Sequence, residues 1–294
     1  MTRRKIKLFR IVALKDIPSI GVVKGERGGL VHSEYNLSQD GDCWIYYSAC
    51  VYDQARVSED AQIEDSAQVF EHACIYGSSI VSDNTIVCGH SKVYESAVIS
   101  DFARVSGNAK INGNAQIYHN AHVYGDAIVS KYAEVYGSSV VHENAYISGN
   151  AEIDDSTVRG DVHVSGDAYL FDNTIISGNV VIDCPFNFSS TEIHSEKDFS
   201  VLKFEKFDSF VSYFSGNDII YVRTNFANYY FPDLEEGHTT LLREDLEYTI
   251  RKHFSNPNIS LRRHKEYEEL KQKALSLIAL NELKMQSIKK EIIK

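Results

Sequence analysis

Ala103-Arg-Val-Ser-Gly-Asn-Ala109-Lys-Ile-Asn-Gly-Asn-Ala115-Gln-Ile-Tyr-His-Asn-Ala121-His-Val-Tyr-Gly-Asp126 is a single six-residue pattern repeated without a break. A small residue opens each unit, a branched residue stands two places later, and a pair drawn mostly from Gly, Asn, Asp and Ser closes it. A separation of two is the strand period. Ala103 with Val105, Ala109 with Ile111 and Ala115 with Ile117 are therefore expected to share one side of the backbone and make a core. The closing pairs Gly107-Asn108, Gly113-Asn114 and Gly125-Asp126 tolerate the positive φ that a tight corner between two short strands requires.

Outward from this stretch the frame holds for nineteen hexads, from Cys43 to Ser156. A five-residue unit, Thr157 to Asp161, drops one residue before four more hexads run from Val162 to Pro185. So short a fixed period marks a parallel β-helix, in which each unit is one strand and corner and neighbouring coils bury each other's inner face. Three sides make a coil, so the run predicts eight triangular coils with no extruded loop. At about 4.8 Å per coil the prism is about 38 Å long.

The flanks differ from the repeat. Lys7 to Leu14 reads as a strand, Asp16 to Gly28 as a loop, and Gly29-Leu-Val as a return strand; an N-terminal cap over 1–42 is expected because an open β-helix end exposes apolar residues and unpaired strand edges. After Pro185, a C-terminal α+β module is expected over 186–294. Phe199 to Phe204, Ser209 to Phe214 and Asp218 to Arg223 alternate as strands, with Ser215-Gly-Asn-Asp as a hairpin turn. Leu241 to Phe254 has helical spacing, Ser255-Asn-Pro-Asn breaks it, and Ser260 to about Ile293 forms a long second helix whose apolar face, Tyr267, Leu270, Ala274, Leu277, Ile278 and Ile288, packs on its own module.

Composition bounds the function. The chain of 294 residues is 43% hydrophobic with only 4 prolines, which suits a folded β protein. No apolar run is long enough to span a bilayer, and the N-terminus has no signal-peptide pattern, so a cytoplasmic protein with no membrane partner is expected. Five cysteines (Cys43, Cys50, Cys74, Cys88, Cys184) form no zinc-ligand spacing and read as reduced thiols. Lys and Arg against Asp and Glu number 8 and 5 in residues 1–42, 6 and 19 in 43–185, and 16 and 17 in the remainder, so the prism carries −13. An acidic repeat argues against nucleic acid as a partner.

Arg10-Ile-Val-Ala-Leu14, Val23-Lys-Gly-Glu-Arg-Gly-Gly-Leu-Val31, Glu34-Tyr-Asn-Leu-Ser38 and Gly41-Asp-Cys-Trp-Ile45, followed by Ala-x-Val repeats, closely resemble YdcK-like hexapeptide-repeat proteins of bacteria and their phages. The resemblance covers about the first 185 residues. It implies a left-handed parallel β-helix, so the full fold class expected is mainly β, with N-terminal cap, left-handed β-helix and C-terminal α+β module. It implies little chemistry: members are commonly labelled acyltransferases by analogy of fold alone. Phage kinship implies the host cytoplasm as a setting, with modulation of a host or defence process.

Function is expected on the outward rows. Each side projects two residues per coil, one before and one after the inner Val or Ile. Ile80 and Val98 on one side, and Ile86, Val140 and Val158 on the next, are candidates for a subunit interface, with a homo-oligomer (dimer or trimer) as the expected state. His72 and His90 lie one coil apart on one edge and are candidate ligand-binding residues. His119 and His122 flank another corner, with His142 one coil beyond His122. Hexapeptide-type carbonic anhydrases hold zinc with three histidines from two chains, but their spacing is not reproduced, and no metal is expected.

Hexapeptide acyltransferases place a general-base His on an extruded loop and basic residues on the last coils for the coenzyme's phosphates. Here no loop is extruded, and Val162 to Pro185 contains no Lys or Arg. Under that alternative, with acetyl-CoA as cofactor, His122 or His142 is the candidate catalytic base. The sequence favours a non-catalytic scaffold, without cofactor, that binds a host protein or a small-molecule ligand.

Overall fold

The computed structural model describes residues 6–183, 187–189 and 191–195, and the strand backbone over 199–204, 209–214, 219–223 and 239–242. The chain divides into two compact units, Met1–Ser190 and Thr191–Lys294.

The first unit is a parallel β-solenoid of about nine turns. Two-residue strands recur every six residues, and each pairs in parallel with the strand eighteen positions on: Arg104 with His122, Lys110 with Ile128, Gln116 with Glu134. Three sheets result, one per side. Every inner residue of the quoted stretch is fully excluded from solvent, from Ala103 and Val105 to Ala121 and Val123. The extra turn beyond the eight expected has a clear origin. Arg27–Val31, counted as cap, pairs in parallel with Cys50–Val51 and so begins one sheet. At the other end Asn187–Ser189 still pairs with Tyr169–Phe171.

The corners explain much of the acidity. Gly107, Gly113 and Gly125 have φ of 68°, 71° and 73°, yet Glu59, Glu71, Glu95 and Asp101 hold equivalent positions at 61°, 58°, 60° and 60°. What offsets the strain at these acids is a hydrogen bond to the next coil: the Glu59, Glu71 and Glu95 carboxylates accept from the backbone N–H of Gly77, Gly89 and Gly113 at 2.9, 2.7 and 2.7 Å. Asp101 does the same for His119 at 2.9 Å.

The short unit lies earlier than the spacing predicts. The residue is lost at the corner after Ile153, so Ser156 takes the small inward place, Thr157 turns outward beside Val140, and Val158 pairs with Val141. Val158 is fully buried, which removes it from the expected interface.

At the N-terminus Phe9–Val12 runs antiparallel to Arg27–Val31, with a bulge between Arg10 and Val12. Ala13, Ile17, Val22 and Trp44 form a small core of their own, with Ile11, Ile20 and Tyr46 against it. The motif glycines are needed for this fit. A Cβ on Gly28 would stand 2.5 Å from the Ile45 carbonyl oxygen, and one on Gly29 would stand 2.5 Å from that of Tyr46. Arg10 clamps the same junction, donating to the carbonyls of Gly28 and Tyr47 at 2.7 and 2.8 Å.

In the second unit Phe199–Phe204, Ser209–Phe214 and Ile219–Arg223 form an antiparallel meander. A fourth strand, Thr239–Leu242, joins its edge. Leu241 and Leu242 are thus strand where a helix start is expected. The rest of that helix, the second helix and Cys184 lie outside the described residues.

Candidate functional site

Each strand of the solenoid sends one residue inward and one to either side of it outward, so the outer surface is three flat faces of two columns each. The first face carries Cys50, Gln68, Ile86, Arg104, His122, Val140, Thr157 and Ile175 in one column. Tyr124 and His142 stand in the other column, one coil apart.

This face brings the two candidate bases together. Tyr124 stacks on His142 with ring centroids 4.8 Å apart, and His122 tilts against Tyr124 at 4.6 Å. Burial, then the Arg104 guanidinium and His142, hold His122 below the ordinary histidine range. The group is therefore neutral at pH 7 and able to accept a proton. Its Nε2 lies 3.5 Å from the Ser106 hydroxyl, while the nearest carboxylate to the pair, Glu143, sits 3.6 Å from His142 Nδ1 on an exposed corner. A nucleophile and a base are present at long distance, but among the described residues no carboxylate is hydrogen-bonded to His122.

His72 and His90 stack on their shared edge with centroids 4.6 Å apart and planes within 4°. Both are exposed. Parallel rings present their nitrogens side by side rather than converging, and among the described residues no group of three or more His, Cys, Asp or Glu is arranged to hold a metal ion. The four described cysteines are free thiols, and burial pushes Cys43 up to about 11.

The apolar rows are shorter than expected. Ile80 and Val98 are direct register partners, bounded by Gln62 and Gln116. On the first face Ile86 lies between Gln68 and Arg104, and Val140 between His122 and Thr157, so neither has an aliphatic neighbour in its own column. Of the expected interface residues, Ile80 and Val98 are the pair in direct register.

Two features escape the sequence reading. On the face that carries Ile80, Tyr118 donates to Glu134 at 2.8 Å, Tyr136 to Glu152 at 3.2 Å, and Tyr169 to Asp154 at 3.3 Å. Burial first, then the neighbouring carboxylates, raises the phenols of Tyr118 and Tyr169. For the first two pairs the signal lies in a spacing of sixteen, one coil less two residues, which places a Tyr in one column diagonal to an acid in the other; in the third the columns are exchanged and the Tyr follows the acid by fifteen. The second feature is a cavity of about 1030 Å³ between the cap and the first coil, lined by Ile11, Ile17, Val31, His32, Leu37 and Trp44 among others.

No family model matches the chain, and no curated protein matches it. Among the described residues no helix is long and apolar enough to cross a membrane.

Proposed function

We propose that the protein is a non-catalytic scaffold, a rigid β-solenoid that pairs with a second copy through Ile80 and Val98 and offers its remaining outer faces to a protein or small ligand. One observation carries this reading. From Trp44 to Asp183 strand follows strand with only corner residues between them, so nothing rises from the prism to wall off His122 and His142. Binding by a flat, preorganised surface costs little conformational entropy, whereas catalysis on it lacks the enclosure that strengthens charge interactions.

Kinship with YdcK-like hexapeptide-repeat proteins belongs to the same reading. It is supported by the work its motif residues do: Gly28 and Gly29 admit the cap strand, and Arg10 fastens it. The resemblance sets the scaffold in a bacterial or phage-infected cytoplasm.

The test is acetyl-CoA consumption in the presence of amine and hydroxyl acceptors, measured for the wild-type chain, His122→Ala and His142→Ala. The scaffold reading expects the uncatalysed rate in all three. Turnover by the wild type that is lost in His122→Ala would establish an acyltransferase instead.

A further inference from the structure

Charge on the prism is sorted by column. The acidic residues that stand on a face before Asp183, namely Glu64, Glu134, Glu152 and Asp154, are all on the face that carries Ile80, where Gln62, Gln116, Glu134 and Glu152 share one column. The third face is different. Its columns run Arg56, Cys74, Lys92, Lys110, Ile128, Tyr146, His163 and, two residues on in each strand, Ser58, Tyr76, Tyr94, Asn112, Ser130, Ser148, Ser165. No carboxylate stands in either column until Asp183, although residues 43–185 hold 19 acidic residues.

Lys92 and Lys110 are direct register partners on adjacent parallel strands, and both are exposed. Like charges in that relation repel, and among the described residues neither lysine has an ion pair to offset it. Strands about 4.8 Å apart root the two side chains close enough for both ammonium groups to reach one phosphoryl group, each nitrogen meeting a different oxygen. Beside them the Asn112 amide donates to the Tyr94 hydroxyl, so the phenol proton is left to donate outward. The Tyr94 ring is fixed by stacking on Tyr76 at 5.0 Å. Lys131, on the corner one coil past Gly113, adds a third cation nearby, and the acid next to this corner, Glu95, is already held by the Gly113 N–H at 2.7 Å.

We infer that Lys92 and Lys110, with Tyr94 and Asn112 beside them, form a binding site for a small phosphate monoester with a hydroxylated body. The phosphoryl group bridges the two ammonium groups, and the hydroxyls meet the phenol and the amide. A polyanion such as nucleic acid does not fit, because it would overrun the acidic corners on either side. The inference is independent of self-association, which uses another face.

Isothermal titration calorimetry with glucose 6-phosphate, inorganic phosphate and glucose tests it. Expected are saturable binding of the ester, weaker binding of phosphate, none of glucose, and an affinity that falls as salt rises. Lys92→Gln/Lys110→Gln should weaken the ester at least about tenfold, while Arg104→Gln, on a different face, leaves it unchanged. Circular dichroism establishes that both variants keep the solenoid. No saturable heat up to about 10 mM ester, an unaltered affinity in the double variant, or an equal loss in Arg104→Gln would overturn the site.

Discussion

Asn36 donates from its side-chain amide to the carbonyl of Ala55 at 2.7 Å, fully buried at the open edge of the first coil. Within the prism that carbonyl position accepts from the coil before it, as Ala73 does from Arg56 at 2.9 Å. At Ala55 the preceding segment, which bridges Val57 through Leu37, supplies no backbone donor, and the Asn36 amide takes its place. The same side chain donates to Asp53 at 3.2 Å and accepts from the N–H groups of His32 and Ser33 at 3.0 and 2.8 Å. Together with the Ser38 N–H, which donates to the Val57 carbonyl at 2.9 Å, this amide closes a sheet edge that would otherwise invite pairing with another chain.

Asn36→Ala strands several buried backbone groups and should cost about 3 kcal/mol. Asn36→Asp keeps the acceptor for His32 and Ser33 but sets a buried carboxylate oxygen against the carbonyls of Asp53 and Ala55, so it should cost at least as much as Ala. Urea denaturation followed by the fluorescence of Trp44, the chain's single tryptophan, measures both. Equal stability of all three would show that the edge is satisfied by other means.

Gly29→Ala tests the junction of cap and prism. The added methyl would meet backbone oxygens of Tyr46 and Ala49 at 2.5 and 2.6 Å, atoms that cannot turn aside. A loss of about 2 kcal/mol or more is expected in the same denaturation assay, whereas Gly25→Ala, with open space around it, pays only for its positive φ.

The place of the missing residue is tested by two neighbours. Val158→Asp puts a carboxylate among fully buried apolar residues and should cost about 4 kcal/mol or more, while Thr157→Asp, pointing outward, should change stability by less than about 1 kcal/mol. Thermal unfolding that ranks them the other way would restore the register first read from the sequence.

That register error marks where the sequence stops being legible. Ala103, Val105 and their equivalents disclose the inner columns because burial admits only small and branched residues there. Around Asp154 and Asp155 several frames satisfy the same rule, since Ser156 and Thr157 are both small and Val158 suits either column. The three strands of the second unit were readable from alternation, but Thr239–Leu242 is too short to show a period. Stacking of His72 on His90 followed from the repeat length alone. The diagonal Tyr118–Glu134 bond and the capping role of Asn36 did not, because each depends on how far a side chain reaches between coils.

Acidification should weaken the fold through His122. Burial, then Arg104 and His142, depress its folded value below 6.5, so as pH falls below 6.5 the unfolded chain takes up a proton that the native state resists. The contribution is complete above the unfolded value and is lost once pH falls toward the folded one. Melting temperatures at pH 7.5 and 5.5 should therefore drop less for His122→Gln than for the wild type. Identical drops would mean that His122 titrates as it does in the unfolded chain.

The most direct test of the scaffold account is sedimentation velocity on the wild-type chain and Val98→Lys. Val98 lies against Ile80 on adjacent coils, and a lysine there would bury an unpaired ion at the proposed contact. The account predicts an oligomeric wild type and a folded, monomeric Val98→Lys. A wild type that sediments as a monomer, or a variant of unchanged size, would contradict it.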